Sequence, residues 1–132
     1  MEIEIFTLAD HAQDAGGKLF INGTFDTIQA PQLPLVHPAF TLAMRLRFSA
    51  KEEGTRTLRL KTLTPSGKEL IQPFEANIPV QAPQAPADYV GINFTLNLYQ
   101  VKLEEAGTYS FQLFVDDEWA TGIKLNVVQR QA

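Results

Sequence analysis

Apolar and polar residues alternate with a period of two along much of the chain. Every even position from 40 to 48 is apolar, and the same alternation recurs at 92–98, 109–115 and 123–127. Because successive side chains of a β-strand point to opposite faces of a sheet, this period predicts strands with one buried face. We expect a core built from the even positions of 40–48 and 92–98 and from the odd positions of 109–115 and 123–127.

Weaker alternation predicts further strands at 2–8, 18–22, 55–63, 68–72 and 74–80. Tight turns are expected at Thr64–Gly67, which contains a proline and a glycine, and at the Val115–Trp119 hairpin. No segment has a convincing helical stripe, so one-turn helices near 9–14 and 101–106 are the only helical candidates.

Two proline-rich segments, 29–38 and 79–86, are expected to be extended connections between strands. Short strands joined by such crossovers favour an all-β fold in which two sheets pack face to face. We expect seven to nine antiparallel strands in a single sandwich domain over residues 1–132.

Residues 105–111 read EAGTYSF, which resembles the (D/E)-x-G-x-Y-x-C motif that leads into strand F of immunoglobulin domains. Phe111 stands where that motif has its cysteine. The resemblance implies that Gly107 permits a sharp entry into the strand. It also implies that Tyr109 buries its ring and returns its hydroxyl to the backbone upstream, the tyrosine corner. It supports an immunoglobulin-like antiparallel β-sandwich and indicates no ligand, because a fold does not give a function.

A second resemblance lies near the N-terminus. Residues 8–13 read LADHAQ, residues 17–23 read GKLFING, and Phe25 precedes Asp26. These segments are similar to an uncharacterised family of small bacterial proteins with an LADAAQ-like start and a GKL-x-ILG-like strand. His11 and Asn22 depart from that pattern. The resemblance implies a bacterial source and no mechanism, since the family has no assigned activity.

Composition restricts the chemistry. The chain has 132 residues, 45% of them hydrophobic and 20% charged, as in an ordinary globular domain. The absence of cysteine excludes thiol catalysis and thiolate metal sites and agrees with a reducing compartment. The acidic, alternating start is not a secretory signal, and no apolar run approaches the roughly 18 residues of a membrane span. We therefore expect a cytoplasmic protein with no membrane partner.

The net charge is −4, but seven of the eleven Lys and Arg residues fall between positions 45 and 68. Arg45, Arg47, Arg59 and Lys61 are predicted on outward faces, where they could present a basic patch to phosphate or to an acidic partner. The favoured alternative is structural: Glu2 and Glu4 on the first strand would form cross-strand ion pairs with the arginines. Interleaved aromatic residues are missing, so no nucleic-acid partner is expected.

The polar residues offer little for catalysis. There are three serines, none in a Gly-x-Ser-x-Gly elbow, and His11 and His37 lack the spacing of a zinc site. His37 is interpreted as a packed loop histidine. We expect neither an enzyme nor a bound metal or cofactor.

The last predicted hairpin contains the remaining candidate binding residues. Asp116 and Asp117 suit a tight turn, and the alternative is a calcium site completed by Asp26 or Asp88. Phe114 faces outward if Tyr109 faces inward, so Phe114 and Trp119 mark a surface that another segment or a partner covers.

The favoured function is a non-catalytic protein-binding or assembly module, with another protein or a second copy as partner. It would use a sheet edge or the Phe114 face. The alternative is small-ligand or calcium binding at the loop end around 116–119.

Overall fold

The structure, a computed structural model, describes residues 1–130. In this range there are nine strands and one short 3-10 turn at Ala50–Glu52. The strands are β1 (Glu2–Ala15), β2 (Lys18–Phe25), β3 (Thr27–Ala30), β4 (Leu35–Ser49), β5 (Gly54–Leu63), β6 (Phe74–Val80), β7 (Tyr89–Leu103), β8 (Gly107–Val115) and β9 (Glu118–Gln129). No helix among the described residues has the length and apolar character needed to cross a membrane.

The strands form two sheets that pack face to face. The first sheet has the order β2-β1-β4-β7 and the second has the order β3-β9-β8-β5-β6. All paired strands are antiparallel except β3 and β9, which are parallel. The predicted immunoglobulin-like β-sandwich is confirmed, with this one parallel pair as the exception to an antiparallel arrangement.

The core lies between the sheets and follows the alternation of the sequence. The even positions of 40–48 and the odd positions of 109–115 are buried as predicted. Phe40 of the first sheet meets Phe111 of the second edge to face, with ring centroids 6.1 Å apart. Burial of each such side chain stabilises the fold by about 1.5–3 kcal/mol. Three predicted core residues of β7 remain only partly buried: Ile92, Phe94 and Leu96.

The entry into β8 has the geometry of a tyrosine corner. Tyr109 is fully buried, and its hydroxyl donates to the carbonyl oxygen of Glu105 at 2.7 Å. Burial raises the pKa of the Tyr109 phenol. Gly107 has φ +131°, and a Cβ there would lie 3.0 Å from the Pro65 ring. Both the backbone angle and the close packing therefore require glycine.

Several expectations from local pattern are wrong. Residues 9–14 are not helical but continue β1, because they pair with β2 as far as Ala15. Residues 101–103 likewise continue β7. The segment 68–72 makes only one bridge, between Leu63 and Glu69, rather than a strand.

The β1–β2 hairpin extends past the first sheet and folds back over its outer face. β1 pairs with β4 only as far as Ala9, opposite Thr41, whereas the hairpin continues to Gly16 and Gly17. Its tip reaches the middle of β7, where the Asn93 amide nitrogen donates to the Gly17 carbonyl oxygen at 3.1 Å. Small outward-facing residues of the sheet are consequently buried, among them Ala9, Thr41 and Ala43.

Candidate functional site

Arg45 and Arg47 lie on the outer face of the first sheet and share one carboxylate. Their Nε atoms donate to Glu4 Oε2 at 3.0 Å and 2.8 Å. A register shift between Ile3 and Ile5 makes Glu4 the extra residue of a β-bulge, which directs it between the two arginines. The hydrogen bond from Arg47 lowers the pKa of Glu4 and raises the pKa of Arg47.

Both arginines also contact β7. Arg45 Nη1 donates to Asn93 Oδ1 at 2.7 Å, and its guanidinium occupies the space that a Cβ on Gly91 would need. The Arg47 guanidinium lies 4.3 Å from the centroid of the Tyr89 ring, a cation–π contact. These two cations therefore join β1, β4 and β7 rather than form a free basic surface.

The four predicted basic residues do not form one patch, which corrects the sequence-based hypothesis. Arg59 and Lys61 lie on β5, which belongs to the second sheet, whereas Arg45 and Arg47 lie on β4 of the first. Consecutive strands of a sandwich can enter opposite sheets, and their outward faces then point in opposite directions. Proximity in the sequence does not bring these charges together.

The acidic hairpin tip forms a two-residue turn. Asp116 and Asp117 have φ +50° and +66°, the left-handed angles of a type I′ turn. Asp116 accepts the Thr57 amide at 3.0 Å and Arg56 Nη1 at 2.9 Å, and both bonds lower its pKa. Asp117 lies 3.9 Å from Arg59. Residues 1–130 contain no group of three His, Asp or Glu residues placed to hold a metal ion.

The outward aromatic residues differ in exposure. Phe114 is half-buried, with the Arg59 guanidinium 5.0 Å from its ring centroid. Trp119, opposite Phe114 across β8 and β9, is 61% exposed. The chain thus covers part of Phe114 with its own Arg59, and Trp119 is the more accessible aromatic of the pair.

His37 lies on β4 rather than in the predicted loop, because residues from Leu35 onward pair with β7, and it packs against two aromatic rings. Its ring stacks on Phe25, with centroids 6.3 Å apart, and meets Phe40 edge to face. Nδ1 is buried without a hydrogen-bond partner among the described residues. Burial lowers the pKa of His37, and the nearby Asp10 carboxylate opposes that shift.

A long free strand edge is the feature that local sequence reasoning did not single out. β7 terminates the first sheet, and in the described part of the chain its one strand partner is β4. We call residues Tyr89–Val101 the β7 edge. These thirteen residues include no charged residue and no proline. Such an edge presents unpaired backbone donors and acceptors to any extended chain.

The other three sheet edges are less suited to pairing. β3 has only four residues, and β6 contains Glu75 and Pro79. β2 has eight residues and is interrupted by Gly23, whose φ is +71°. Short strands, proline, charge and local distortion are the usual means by which proteins block edge pairing. The β7 edge has none of them between Tyr89 and Tyr99, and its one irregular residue is Gln100, with φ +52°.

The β7 edge borders an apolar opening between the two sheets. Ile92, Phe94 and Leu96 point inward from it but stay partly exposed, because no strand lies beside β7 on that side. Phe94 meets Phe74 of β6 across the opening, with centroids 5.7 Å apart. A strand added to β7 would cover these side chains as well as the backbone groups.

Strand order relates this edge to the wider fold. In constant-type immunoglobulin domains the sheet that contains strands A, B and E ends with strand D, next to E. Here β1, β4 and β7 occupy the A, B and E positions, and residues 81–88 lead directly from β6 to β7. The D position beside β7 is therefore unfilled by any strand of residues 1–130.

Two facing sheets with this strand order define an immunoglobulin-like β-sandwich. Residues 4–128 match the family described as "Family of unknown function (DUF6941)", and the chain belongs to that family. No curated protein matches the chain.

Two of the solved structures that are similar to the chain show how far the likeness extends. One is the Pseudomonas fluorescens alkylpurine DNA glycosylase AlkC bound to DNA containing an abasic site analogue. It has a TM-score of 0.61, 8% identity, and coverage of 96% of this chain and 30% of that chain. The other is an immunoglobulin-like protein from Pseudomonas aeruginosa, with a TM-score of 0.39, 15% identity, and coverage of 96% and 94%. At 8% identity the first likeness concerns the fold alone, and the chain spans less than a third of the glycosylase.

Proposed function

We propose that the protein is a non-catalytic binding module that receives an extended strand of a protein partner at the β7 edge. The single observation that carries this proposal is the thirteen-residue, charge-free and proline-free edge beside an unfilled strand position. Strand addition at such an edge gains affinity from main-chain hydrogen bonds and specificity from alternate side chains.

The side chains of β7 define the kind of partner. Outward positions are the polar, uncharged Asn93, Thr95 and Asn97, whereas Phe94 and Leu96 point toward the apolar opening. A matching strand alternates in the same way, with small polar residues outward and apolar residues inward. Charged residues at the centre of the partner strand would lose hydration without gaining an ion pair, which disfavours them.

The charged groups elsewhere favour binding over catalysis. Glu4, Asp116 and Arg56 are each held in an intramolecular ion pair, so none of them is poised for proton transfer. We further propose a bacterial, cytoplasmic setting without a nucleic-acid or membrane partner, which the absence of cysteine and the net charge of −4 support.

The test uses one charged substitution at the β7 edge and one on the other edge strand of the same sheet. Thr95→Lys adds a charge to β7, and Thr24→Lys adds the same charge to β2. We expect a host protein to be retained by the immobilised wild type and by Thr24→Lys but lost with Thr95→Lys. Hydrogen exchange of the purified complex should slow at backbone amides of 89–101.

Two results would contradict the proposal. One is equal retention of the partner by a folded Thr95→Lys variant. The other is exchange protection confined to other strands, such as β8 and β9. Circular dichroism melts of both variants establish that each is folded before retention is compared.

A further inference from the structure

We infer that the strand received at the β7 edge is β7 of a second copy, paired antiparallel about a two-fold axis at Thr95. This inference rests on the proposed function and names its partner. The result is one continuous eight-stranded sheet across two sandwiches, with the order β2-β1-β4-β7 followed by its symmetric copy.

Symmetry makes self-pairing depend on charge. In an isologous interface each residue faces a residue of the same strand in the other copy, so charges near the axis meet like charges. With Thr95 on the axis, Asn93 faces Asn97 of the second copy and Phe94 faces Leu96. The β7 edge has no charge from 89 to 101, so no like-charged pair arises along it.

The first charged residues outside the β7 edge select the register. With the axis at Thr95, Asp88 of each copy faces Lys102 of the other, which gives two opposite-charge pairs. With the axis at Leu96, Asp88 faces Glu104, and two like-charged pairs arise. With the axis at Phe94, Asp88 faces the uncharged Gln100. Opposite charges across antiparallel strands stabilise the pairing and like charges oppose it.

Backbone conformation limits the length of edge that can pair and agrees with an axis near Thr95. Gln100 has φ +52°, so the regular extended part of β7 ends at Tyr99. At the other end β7 pairs regularly with β4 from Tyr89 onward, and Arg45 crosses the outer face at Gly91. Thr95 lies one residue from the centre of the regular stretch 89–99. Lys102 lies beyond the irregularity with its side chain 59% exposed, and its ammonium group lies 3.4 Å from a carboxylate oxygen of Glu104 in the same copy. Because an ion pair this exposed contributes little to stability, the Lys102 side chain can turn to Asp88 of a second copy instead.

Self-pairing also covers the apolar opening. Ile92, Phe94 and Leu96 are the partly exposed apolar residues beside the edge, and the two-fold places those of one copy next to those of the other. Aromatic and aliphatic side chains that face each other across antiparallel strands stabilise the pair. The same interface therefore satisfies backbone groups and buries apolar surface.

The register is tested with a single cysteine in a chain that has none. Opposite residues of antiparallel strands have Cα atoms about 4.5–5.5 Å apart, within the range a disulfide spans. We expect Thr95→Cys to give a covalent dimer under mild oxidation. Asn97→Cys is the matched control, because its counterpart in the second copy lies four residues along the strand, about 13 Å away.

A second test exchanges the charges of two surface residues, Asp88 and Lys102, and leaves the core unchanged. Light scattering during size-exclusion chromatography should give twice the 14.7 kDa chain mass for the wild type at high concentration. Asp88→Lys or Lys102→Asp should each weaken the dimer severalfold, since like charges then face each other. The double variant Asp88→Lys/Lys102→Asp should restore the wild-type dissociation constant.

The inference is overturned if the wild type stays monomeric throughout the dilution series and Thr95→Cys remains uncross-linked. It is also overturned if Thr95→Cys and Asn97→Cys cross-link equally, because collision then explains the product, or if the double exchange fails to restore affinity. None of these results contradicts strand addition by a different protein. That broader proposal fails if a folded Thr95→Lys variant retains the host partner or if exchange protection is confined to other strands.

Discussion

At the scale of single residues, polar groups in this sandwich act mainly by joining neighbouring strands. Glu4 accepts hydrogen bonds from Arg45 and Arg47, and Arg45 also donates to Asn93 of β7. Asp116 accepts one hydrogen bond from the Thr57 backbone amide and one from the Arg56 side chain, both on β5. These side chains hold strands in position, and their removal is expected to change stability more than any chemical activity.

Tyr109 allows a direct test of one such bond. Tyr109→Phe removes the hydroxyl that donates to the Glu105 carbonyl oxygen and leaves that partly buried carbonyl with one fewer partner. We expect a loss of about 1 kcal/mol in the free energy of unfolding. Urea denaturation measures it, with Tyr99→Phe, at a position 67% exposed, as the control. Equal stabilities of the two variants would mean that the corner bond contributes nothing.

His37 predicts a pH effect near neutrality. Burial lowers its pKa in the folded state below the usual 6.5, so the unfolded chain binds the proton more readily. Stability is therefore complete above pH 6.5 and falls as the pH drops from there toward the folded pKa. Denaturant titrations between pH 7.5 and 5 should show this decline, and His37→Leu should reduce it. The exposed His11→Gln should not alter the slope, and an unchanged slope in His37→Leu would contradict the assignment.

At the scale of elements, the β1–β2 hairpin is the least predictable part of the fold. Its distal half pairs with no other strand and reaches β7 through the Asn93–Gly17 bond. Elements held by few contacts open more readily than the rest of a protein. The distal half of the hairpin, which covers the outer face of the first sheet, is therefore expected to have a lower local stability than the two sheets.

We expect Asn93→Ala to loosen this hairpin without unfolding the sandwich. The variant loses the bond to the Gly17 carbonyl oxygen and the one from Arg45. Hydrogen exchange should accelerate at residues 11–22 while the rates in β8 stay unchanged. Asn22→Ala, an exposed position on the hairpin itself, is the control. Unchanged exchange at 11–22 in Asn93→Ala would show that other contacts hold the tip.

The β8–β9 hairpin predicts the response to calcium. Both carboxylate oxygens of Asp116 are already hydrogen-bonded, and Asp117 alone provides too few ligands for this ion. Millimolar calcium should leave the melting temperature unchanged, since only an ion that binds the folded state raises it. Magnesium at the same concentration controls for ionic strength. A rise in the melting temperature with calcium but not with magnesium would support a calcium site at the loop end around 116–119.

At the scale of the whole molecule, several depressed carboxylate pKa values predict sensitivity to acid. Glu4, Glu52 and Asp116 have lowered pKa values, because arginines, the N-terminal ammonium group or backbone amides bond their charged forms. Such groups stabilise the fold above their unfolded pKa values, 4.5 for Glu and 3.8 for Asp, and this contribution is lost as the pH falls through the folded values. Melting temperatures should therefore fall as the pH drops below 4.5. Glu4→Gln should show a shallower fall than the wild type.

The sequence predicts the features that neighbouring residues determine better than those that depend on pairing between distant segments. Alternation assigned the buried faces of β4 and β8 correctly, because it reports which side of a strand meets the core. It could not assign strands to sheets, so Arg45 and Arg59 seemed to share a surface. The bulge at Glu4 and the folded-back hairpin arise from pairing between distant segments. The absence of charge in 89–101 is visible in the sequence, but only the strand order identifies that segment as an edge.

The parallel pairing of β3 with β9 has a consequence for the order in which the protein is synthesised. All strands of the first sheet have been synthesised once the chain reaches residue 103. The partner of β3, strand β9, ends only at residue 129. At roughly 5–20 residues per second the ribosome needs seconds to make the difference. Throughout that interval the nascent chain already contains the strand proposed to pair with a second copy. The second sheet is therefore complete only when β9 has been made, after every strand of the first sheet.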